Sequence, residues 1–241
     1  MKIFCIFSLI TFVISGSINA QKGWGITAGA NLSSMKVNEE TTGYEEARTE
    51  YDPVVRFQAG IFKEIVTARN IVITPGLLFI KKGYKTRRED QLSGQQRDWR
   101  FSYSPSYIQL PVDIAYRFHM ANDQCFDAGI GLYASYGIGG RAYEKIKLDG
   151  EVVKDEDYKL EFLNETKVTR GEYSVTTTFG YSRPIDIGGG LVANYHFNKK
   201  LGIKLNADHS FFNLQSKING NKPVSTRYNQ QLRLSFSYIF L

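Results

Sequence analysis

Three stretches of this chain carry residue types that could do chemistry. "ADHSFF" sets Asp208, His209 and Ser210 side by side, the acid, base and nucleophile of a lipid-hydrolysing triad. "GIGLYA", Gly129 to Ala134, matches the G-x-G-x-x-A fingerprint that wraps a nucleotide phosphate. His119 and His196 are candidate metal ligands. Each motif needs particular support. A triad requires imidazole and hydroxyl on one surface, a phosphate loop requires a helix after its second glycine, and a metal needs ligands at a recurrent spacing.

The surrounding elements withhold that support. Beyond Gln21 apolar residues recur with period two rather than 3.6. "KLGIKLNADHSFF" sets Leu201, Ile203, Leu205, Ala207 and Phe211 against Gly202, Lys204, Asn206, Asp208 and Ser210. His209 and Ser210 then point to opposite faces of one strand, so they cannot act together. Alternation runs through "GIGLYA" to Ile138 without a helix, and neither His119 nor His196 has Cys, Asp or Glu at metal-ligand spacing. The expectation is no catalytic residue, no cofactor and no metal: a chain that is not an enzyme.

The same test predicts an all-β chain of eight strands. They cover about Lys22 to Lys36, Pro53 to Val66, Ile71 to Arg87, a stretch ending in "YIQLPVDIAYRF", Gln124 to Arg141, Tyr181 to Phe197, "KLGIKLNADHSFF" and "QLRLSFSYIF". The third is apolar on both faces, which leaves its parity open, and Pro111 sits awkwardly within the fourth. Connections at 67–70, 119–123 and 198–200 are short. Those near Asn38 to Asp52, Arg88 to Trp99, Ala142 to Phe179 and Ser216 to Ser225 are long and polar. Short turns alternating with long loops are the pattern of an outer-membrane barrel. The predicted fold is a closed antiparallel transmembrane β-barrel of eight strands with long extracellular loops. Ten strands would require 142–179 to enter the bilayer, and its charges oppose that. Within it Asp149-Gly150 predicts a hairpin turn, and Asp155 to Asn164 has room for a short helix.

With both termini on the periplasmic side, outward aromatics near that side are Trp24, Tyr116, Phe118, Phe126, Tyr195, Phe197, Tyr238 and Phe240. Phe79, Tyr136, Tyr181, Phe211 and Tyr228 lie toward the opposite ends, which gives two girdles spaced for an apolar band about 25 Å tall. The other face carries Arg56, Glu64, Asp113, Arg117, Asp127, Asp186, Lys204, Asp208 and Arg233. Arg or Lys facing lipid at mid-membrane costs about 2–4 kcal/mol, so this face must point inward. That separates the chain from a soluble ligand-binding barrel, whose apolar face lines the cavity. Arg117 and Asp127 fall opposite each other across the 119–123 turn. An eight-stranded interior is narrow enough for side chains to fill, so a polar plug is expected in place of a conducting pore, with Gly129, Gly131, Gly137, Gly188 and Gly190 leaving room for neighbours such as Tyr133.

Bulk features agree. The 241 residues include 15 Tyr, 16 Phe and 22 Gly, a composition suited to strands. The net charge of +6 comes without a basic run interleaved with aromatics, so no nucleic-acid partner is expected. Residues 1–20 have the lysine, apolar core and small-residue end of a secretory signal, leaving 21–241 as one barrel domain. Cys125 is then the only cysteine, and no internal disulfide is possible.

"GWGITAGANLSSM", "SYIQLPVDIAYRF" and "DIGGGLVANYHFNKKLGIKLNADHSFFNL" together resemble the PorT-like outer-membrane β-barrel family of Bacteroidetes. The resemblance spans essentially the whole chain after the signal. It implies residence in the bacterial outer membrane, contact with outer-membrane lipid, recognition of the terminal aromatic strand by the barrel-assembly machinery, and Pro111 as a family feature. The founding member serves protein secretion through a type IX system. The reading is a small non-enzymatic barrel with a polar filled interior and loop-borne recognition of a secretion-system or extracellular protein. The alternatives are an accessory secretion component and a lipid-modifying barrel enzyme.

Overall fold

The computed structural model describes residues 21–39, 50–92, 94–166, 181–221 and 225–240; the expected signal segment and the stretches 40–49 and 167–180 lie outside them. Strands β1 (Gln21–Glu39), β2 (Glu50–Val66) and β3 (Ile71–Lys81) are followed by β4 (Tyr84–Leu92), β5 (Gln95–His119), β6 (Cys125–Leu148) and β7 (Glu151–Lys159). Three short segments come next, β8 (Glu161–Phe162), β9 (Glu165–Thr166) and β10 (Tyr181–Ser182). Then come β11 (Ile185–His196), β12 (Leu201–Ser210), the two-residue β13 (Lys217–Ile218) and β14 (Ser225–Phe240).

Eight strands form a ring in which each pairs antiparallel with the next: β1, β2, β3, β5, β6, β11, β12, β14 and back to β1. Closure runs from Trp24 opposite Phe240 to Glu39 opposite Ser225, so neither terminal strand of the ring offers an open edge. The connections 67–70, 120–124 and 197–200 all lie at one end, here the turn end. At the hairpin end β4–β5 and β6–β7 continue past the ring. β5 has 25 residues and β6 has 24, more than twice the 9–11 that cross a bilayer.

Two expectations are corrected here. Arg88 to Trp99, expected as a loop, forms hairpin strands, and Asp155 to Asn164 forms β7 and β8 instead of a helix, whereas the hairpin predicted at Asp149-Gly150 is present and pairs β7 with β6. The cause is turn chemistry. Asp149 and Gly150 adopt φ of 48° and 87°, the left-handed pair that a tight hairpin turn requires. β7 then zips along β6, with Glu151 opposite Leu148 and Lys159 opposite Arg141.

A bulge extends β6 beyond its predicted end at Arg141. The register of β5 on β6 slips so that Ser106 faces Gly139 while Tyr107 faces Gly137. Gly139 and Gly140 accommodate the slip at φ of 148° and 153°, where a side chain would be strained. Parity reverses there. Tyr136 and Ile138 point outward below the bulge, whereas Arg141 points outward and Ala142 and Glu144 inward above it.

Inside the extension lies a second core. Met35, Tyr84, Phe101, Tyr103, Ala142 and Leu160 bury one another, with Tyr51, Trp99 and Tyr158 against them. Glu144 is fully buried beside it, accepting from Trp99 Nε1 at 2.8 Å and Tyr158 Oη at 2.9 Å, and Lys154 Nζ is 2.7 Å away. Its bond to Glu144 first, and then one to Tyr158, hold the Lys154 ammonium above its ordinary range.

Candidate functional site

Inward residues assemble three charged clusters along the barrel axis. At the turn end Arg117, on β5, donates through Nε and Nη2 to Asp127 of β6 at 2.7 and 2.8 Å. It also donates through Nη1 and Nη2 to Glu64 of β2 at 3.1 and 3.0 Å. Its partner Asp127 is directly opposite in register, as the short turn predicts. His196 closes the group, with Nε2 2.8 Å from Asp127 Oδ2 and 2.7 Å from Asn194 Nδ2. Ligand atoms of Glu64, Asp127 and His196 lie within 4.8 Å of one another, which linear spacing could not show because they come from three strands. The Arg117 guanidinium stands among them and uses both carboxylates, so the cluster is satisfied as an ion-pair network.

Mid-barrel, Arg233 Nε donates to Asp208 at 2.6 Å and its Nη1 to Gln58 at 3.2 Å, while Lys204 is bonded to Asp113. Toward the hairpin end Asp186 accepts from Lys82 Nζ and Asn229 Nδ2, both at 2.8 Å, and from Ser210 Oγ at 2.7 Å. Lys82 and Asp186 are both at 0% side-chain exposure, and Lys82 Nζ also lies 4.9 and 4.5 Å from the rings of Tyr107 and Tyr133, within cation–π range. An isolated buried ammonium would be costly, and this one is compensated on every side.

Of the nine polar residues expected inside, eight thus belong to one of these clusters. Arg56 shares their parity but is only half-buried and reaches no carboxylate; its guanidinium lies 3.4 Å from the Val55 carbonyl. Lys82 is the residue that sequence reasoning missed. It follows Lys81 in a strand whose parity was open, and only the pairing of β3 with β5 shows that Val72, Leu78, Ile80 and Lys82 share the inner face.

The interior is less polar than expected. Phe62, Val72, Leu78, Ile80, Ala115 and Val192 are buried there. Of these, Phe62 and Leu78 face the polar clusters across a cavity of about 40 Å³ that Gln58, Asp113, Lys204 and Arg233 also line, room for a few waters. The glycines make space as expected: a Cβ on Gly188 would stand 2.5 Å from Tyr133 Oη, and one on Gly131 2.3 Å from Asp113 Oδ1. At the turn end a vestibule of about 310 Å³ opens, lined by Glu64, Arg117, His119, Cys125 and His196.

The hairpin end is capped by chain. Leu163 N donates to Ser182 O, Arg183 N to Leu214 O, and Leu214 N to Arg227 O. Tyr103 Oη donates to Ser182 Oγ at 2.9 Å. Leu214 is wholly buried, and the Phe162 ring lies edge-on to Tyr107 at 5.4 Å, over the space that a Cβ at Gly137 would fill.

The motifs resolve plainly. Asp208 and Ser210 point inward, His209 outward, where it stacks on Tyr228. Ser210 Oγ is spent on Asp186 and the Phe212 carbonyl. "GIGLYA" is uninterrupted β6. Cys125, partly exposed, has Sγ 3.6 Å from His119 Nδ1.

The outward face is apolar through the ring: Leu191 and Phe236 are 67% and 65% exposed. Trp24, Tyr116, Phe118, Phe197, Tyr238 and Phe240 are exposed near the turn end, and Phe126 and Tyr195 half-exposed beside them. Several pack edge to face, as Tyr195 on Phe197 at 5.1 Å and Tyr238 on Phe240 at 5.3 Å. At the other end of the band Tyr136 and Phe211 are exposed, with Phe79 and Tyr228 half-exposed; the Tyr181 side chain lies outside the described residues.

A closed eight-strand ring with an apolar exterior, an aromatic rim and charges paired inside is an integral membrane β-barrel. The match of residues 19–216 to the outer membrane protein beta-barrel domain places the chain in that family. Among solved structures it is similar to Ail, the attachment invasion locus protein of Yersinia pestis, at 14% identity over 91% of this chain and 99% of that one, TM-score 0.35. Neisserial surface protein A matches at 9% identity over 90% and 97%, TM-score 0.35. OprG of Pseudomonas aeruginosa matches at 11% over 92% and 98%, TM-score 0.33. Among curated proteins nothing matches.

Proposed function

We propose that this outer-membrane barrel is neither an enzyme nor a channel, and that it acts through the structure it carries at its hairpin end. One observation carries the reading: the bore is filled by three ion-paired clusters, an apolar wall and a chain cap, whereas β4–β5 and β6–β7 stand beyond the ring on a core of their own. Both termini are assigned to the periplasm, since short turns face that side in barrels of this kind and long hairpins face out. The non-enzymatic reading is supported by the outward His209, which shares no surface with Ser210.

Planar-bilayer recording of the purified full chain tests the closed bore. No resolved single-channel steps are expected, and a steady conductance that a Lys82→Met variant alters would overturn the reading. Recognition of a protein partner by the hairpins is tested by cross-linking from Val152 or Val153, exposed beside the β6–β7 turn. Kinship with the PorT-like branch, and with it an accessory secretion role, rests on the quoted sequence stretches; a deletion strain that exports its secreted proteins normally would remove it. Delivery by the barrel-assembly machinery through β14 is tested by replacing Tyr238 and Phe240 with serine, which is expected to lower the assembled fraction.

A further inference from the structure

The outer wall of the barrel carries, just beyond its apolar band, a patch that none of the above uses. Ten residue steps separate Ile71 from Lys81 on β3; at about 3.3 Å per residue and a tilt near 40° they climb about 25 Å, the height of the lipid-facing band. Lys81 therefore stands at its far edge, with its ammonium 5.5 Å from the centre of the Phe57 ring.

From there three strands present a small grid of outward side chains. Lys81 is opposite Ser106, and Ser106 opposite Gly139. Two residues further, Ser104 is opposite Arg141. Two further again, Lys85 is opposite Ser102, and Ser102 opposite Tyr143. Gly83, between the two lysines, brings no side chain, and a Cβ there would strike Tyr103 O at 1.9 Å. The result is a shallow trough floored by Ser102, Ser104 and Ser106, with Lys81 and Lys85 on one rim and Arg141 on the other. Neighbouring strands are about 4.8 Å apart, so these long cationic side chains can converge over the hydroxyls.

Within the described residues the trough differs in charge from the rung above it. The next rung, Arg87, Arg100 and Lys145, is neutralised: Asp98 takes Arg87 and Arg100, and Asp155 takes Lys145. Lys81, Lys85 and Arg141 form no ion pair with a described carboxylate. Asp52, on β2, faces Lys85 in register without an ion pair to it, and flanks the trough on the β4 side. The bulge at Ile138 to Gly140 has a purpose in this light: without it Arg141 would face inward.

Unpaired cations over hydroxyl donors suit a phosphate monoester, and the surface directly below them suits acyl chains, with Phe79, Ile108, Leu110 and Tyr136 all pointing outward. We propose that this trough binds the phosphate of an acylated glycolipid of the outer leaflet, of the lipid A type. The leaflet rests on the orientation proposed above, and the phosphate chemistry does not.

The full chain in phosphatidylcholine nanodiscs, which expose both leaflets, is offered bisphosphorylated lipid A or its dephosphorylated acyl disaccharide, and retained lipid is counted by native mass spectrometry. Wild type is expected to favour the phosphorylated form about tenfold. The K81Q/K85Q/R141Q variant is expected to lose that preference, and R100Q/K145Q to keep it. Heat-dependent gel mobility establishes that each variant is folded. Equal retention of the two lipids by wild type, or an unchanged preference in the triple variant, overturns the proposal. So does displacement by inorganic phosphate at the concentration of the lipid, which would make this a site for the free ion. Separately, Val152→Cys is treated with an impermeant maleimide on intact cells. Labelling supports the orientation; labelling only after lysis removes the outer leaflet as the source of the lipid and overturns the proposal on that count, whatever the nanodiscs report.

Discussion

Asp186 shows how much one interior carboxylate can hold. It binds a lysine just past the end of β3, an asparagine of β14 and a serine of β12, so its loss would strand a fully buried ammonium. Removing one partner of such a pair costs about 3–5 kcal/mol. Asp186→Ala is therefore expected to lower the urea midpoint of the detergent-folded barrel sharply, while K82M/D186L, which removes both charges, recovers most of the loss. A midpoint for Asp186→Ala equal to wild type would show that this cluster contributes nothing to stability. The sequence makes Asp186 legible and hides Lys82 for the same reason. Alternation is unambiguous around Asp186, between outward Ile185 and Ile187, whereas "FIKKGYK" offers two adjacent lysines in a strand apolar on both sides. Glu144 escaped because the bulge at Ile138 reverses parity upstream of it. His196 could be placed on the inner face but not beside Glu64, since their proximity is a property of ring closure and not of spacing.

At the scale of elements, the β4–β5 hairpin is laced by ion pairs across its strands. Arg97 Nε donates to Asp90 at 2.6 Å, and this bond first, with desolvation opposing it, holds the Asp90 carboxyl below the usual range. Asp98 is held low likewise, first by its bond from Arg100. A carboxylate with a depressed folded pKa adds stability above its unfolded value near 3.9 and loses it as pH falls through the folded one. Hydrogen exchange of the hairpin amides from Arg88 to Arg97 is expected to speed at pH 3 relative to pH 7, after correction for intrinsic rates, with β11 and β12 unchanged. Uniform protection across both would mean that these pairs do not hold the hairpin. The hairpin's existence was not read from the sequence: "TRREDQLSGQQRDWR" has no period-two apolar face, its Ser93-Gly94 pair is a weaker turn signal than Asp149-Gly150, and its strands are set by the longer β5 and the charges between them.

For the whole molecule, the ring is expected to hold without the β4–β5 hairpin. The pairings of β5 with β3 end at Lys81, while those with β4 begin above it, at Tyr84. Replacing residues 87–100 with a short glycine-rich turn is thus expected to leave a barrel that still migrates as a compact, heat-modifiable band. A chain that no longer folds would show that the extension nucleates the ring. The barrel itself was the most legible feature, because alternation, loop sorting and aromatic placement all constrain one object; the cap was the least, because its segments near Ser182 and Leu214 have no pattern of their own and are ordered by what lies beneath them.

The closure of β1 on β14 also has a kinetic meaning. Thr27 Oγ1 donates to the carbonyl of Phe236, 209 residues along the chain, and every rung of that seam spans a comparable loop. Contacts of such sequence separation give little return until most of the chain is already ordered. The other seven seams join strands that are consecutive in the ring's chain order, three of them across short turns, and span far shorter stretches of chain. The seam between first and last strand is then the late step of assembly, and until it forms the two terminal strands of the ring present bare edges to whatever receives them.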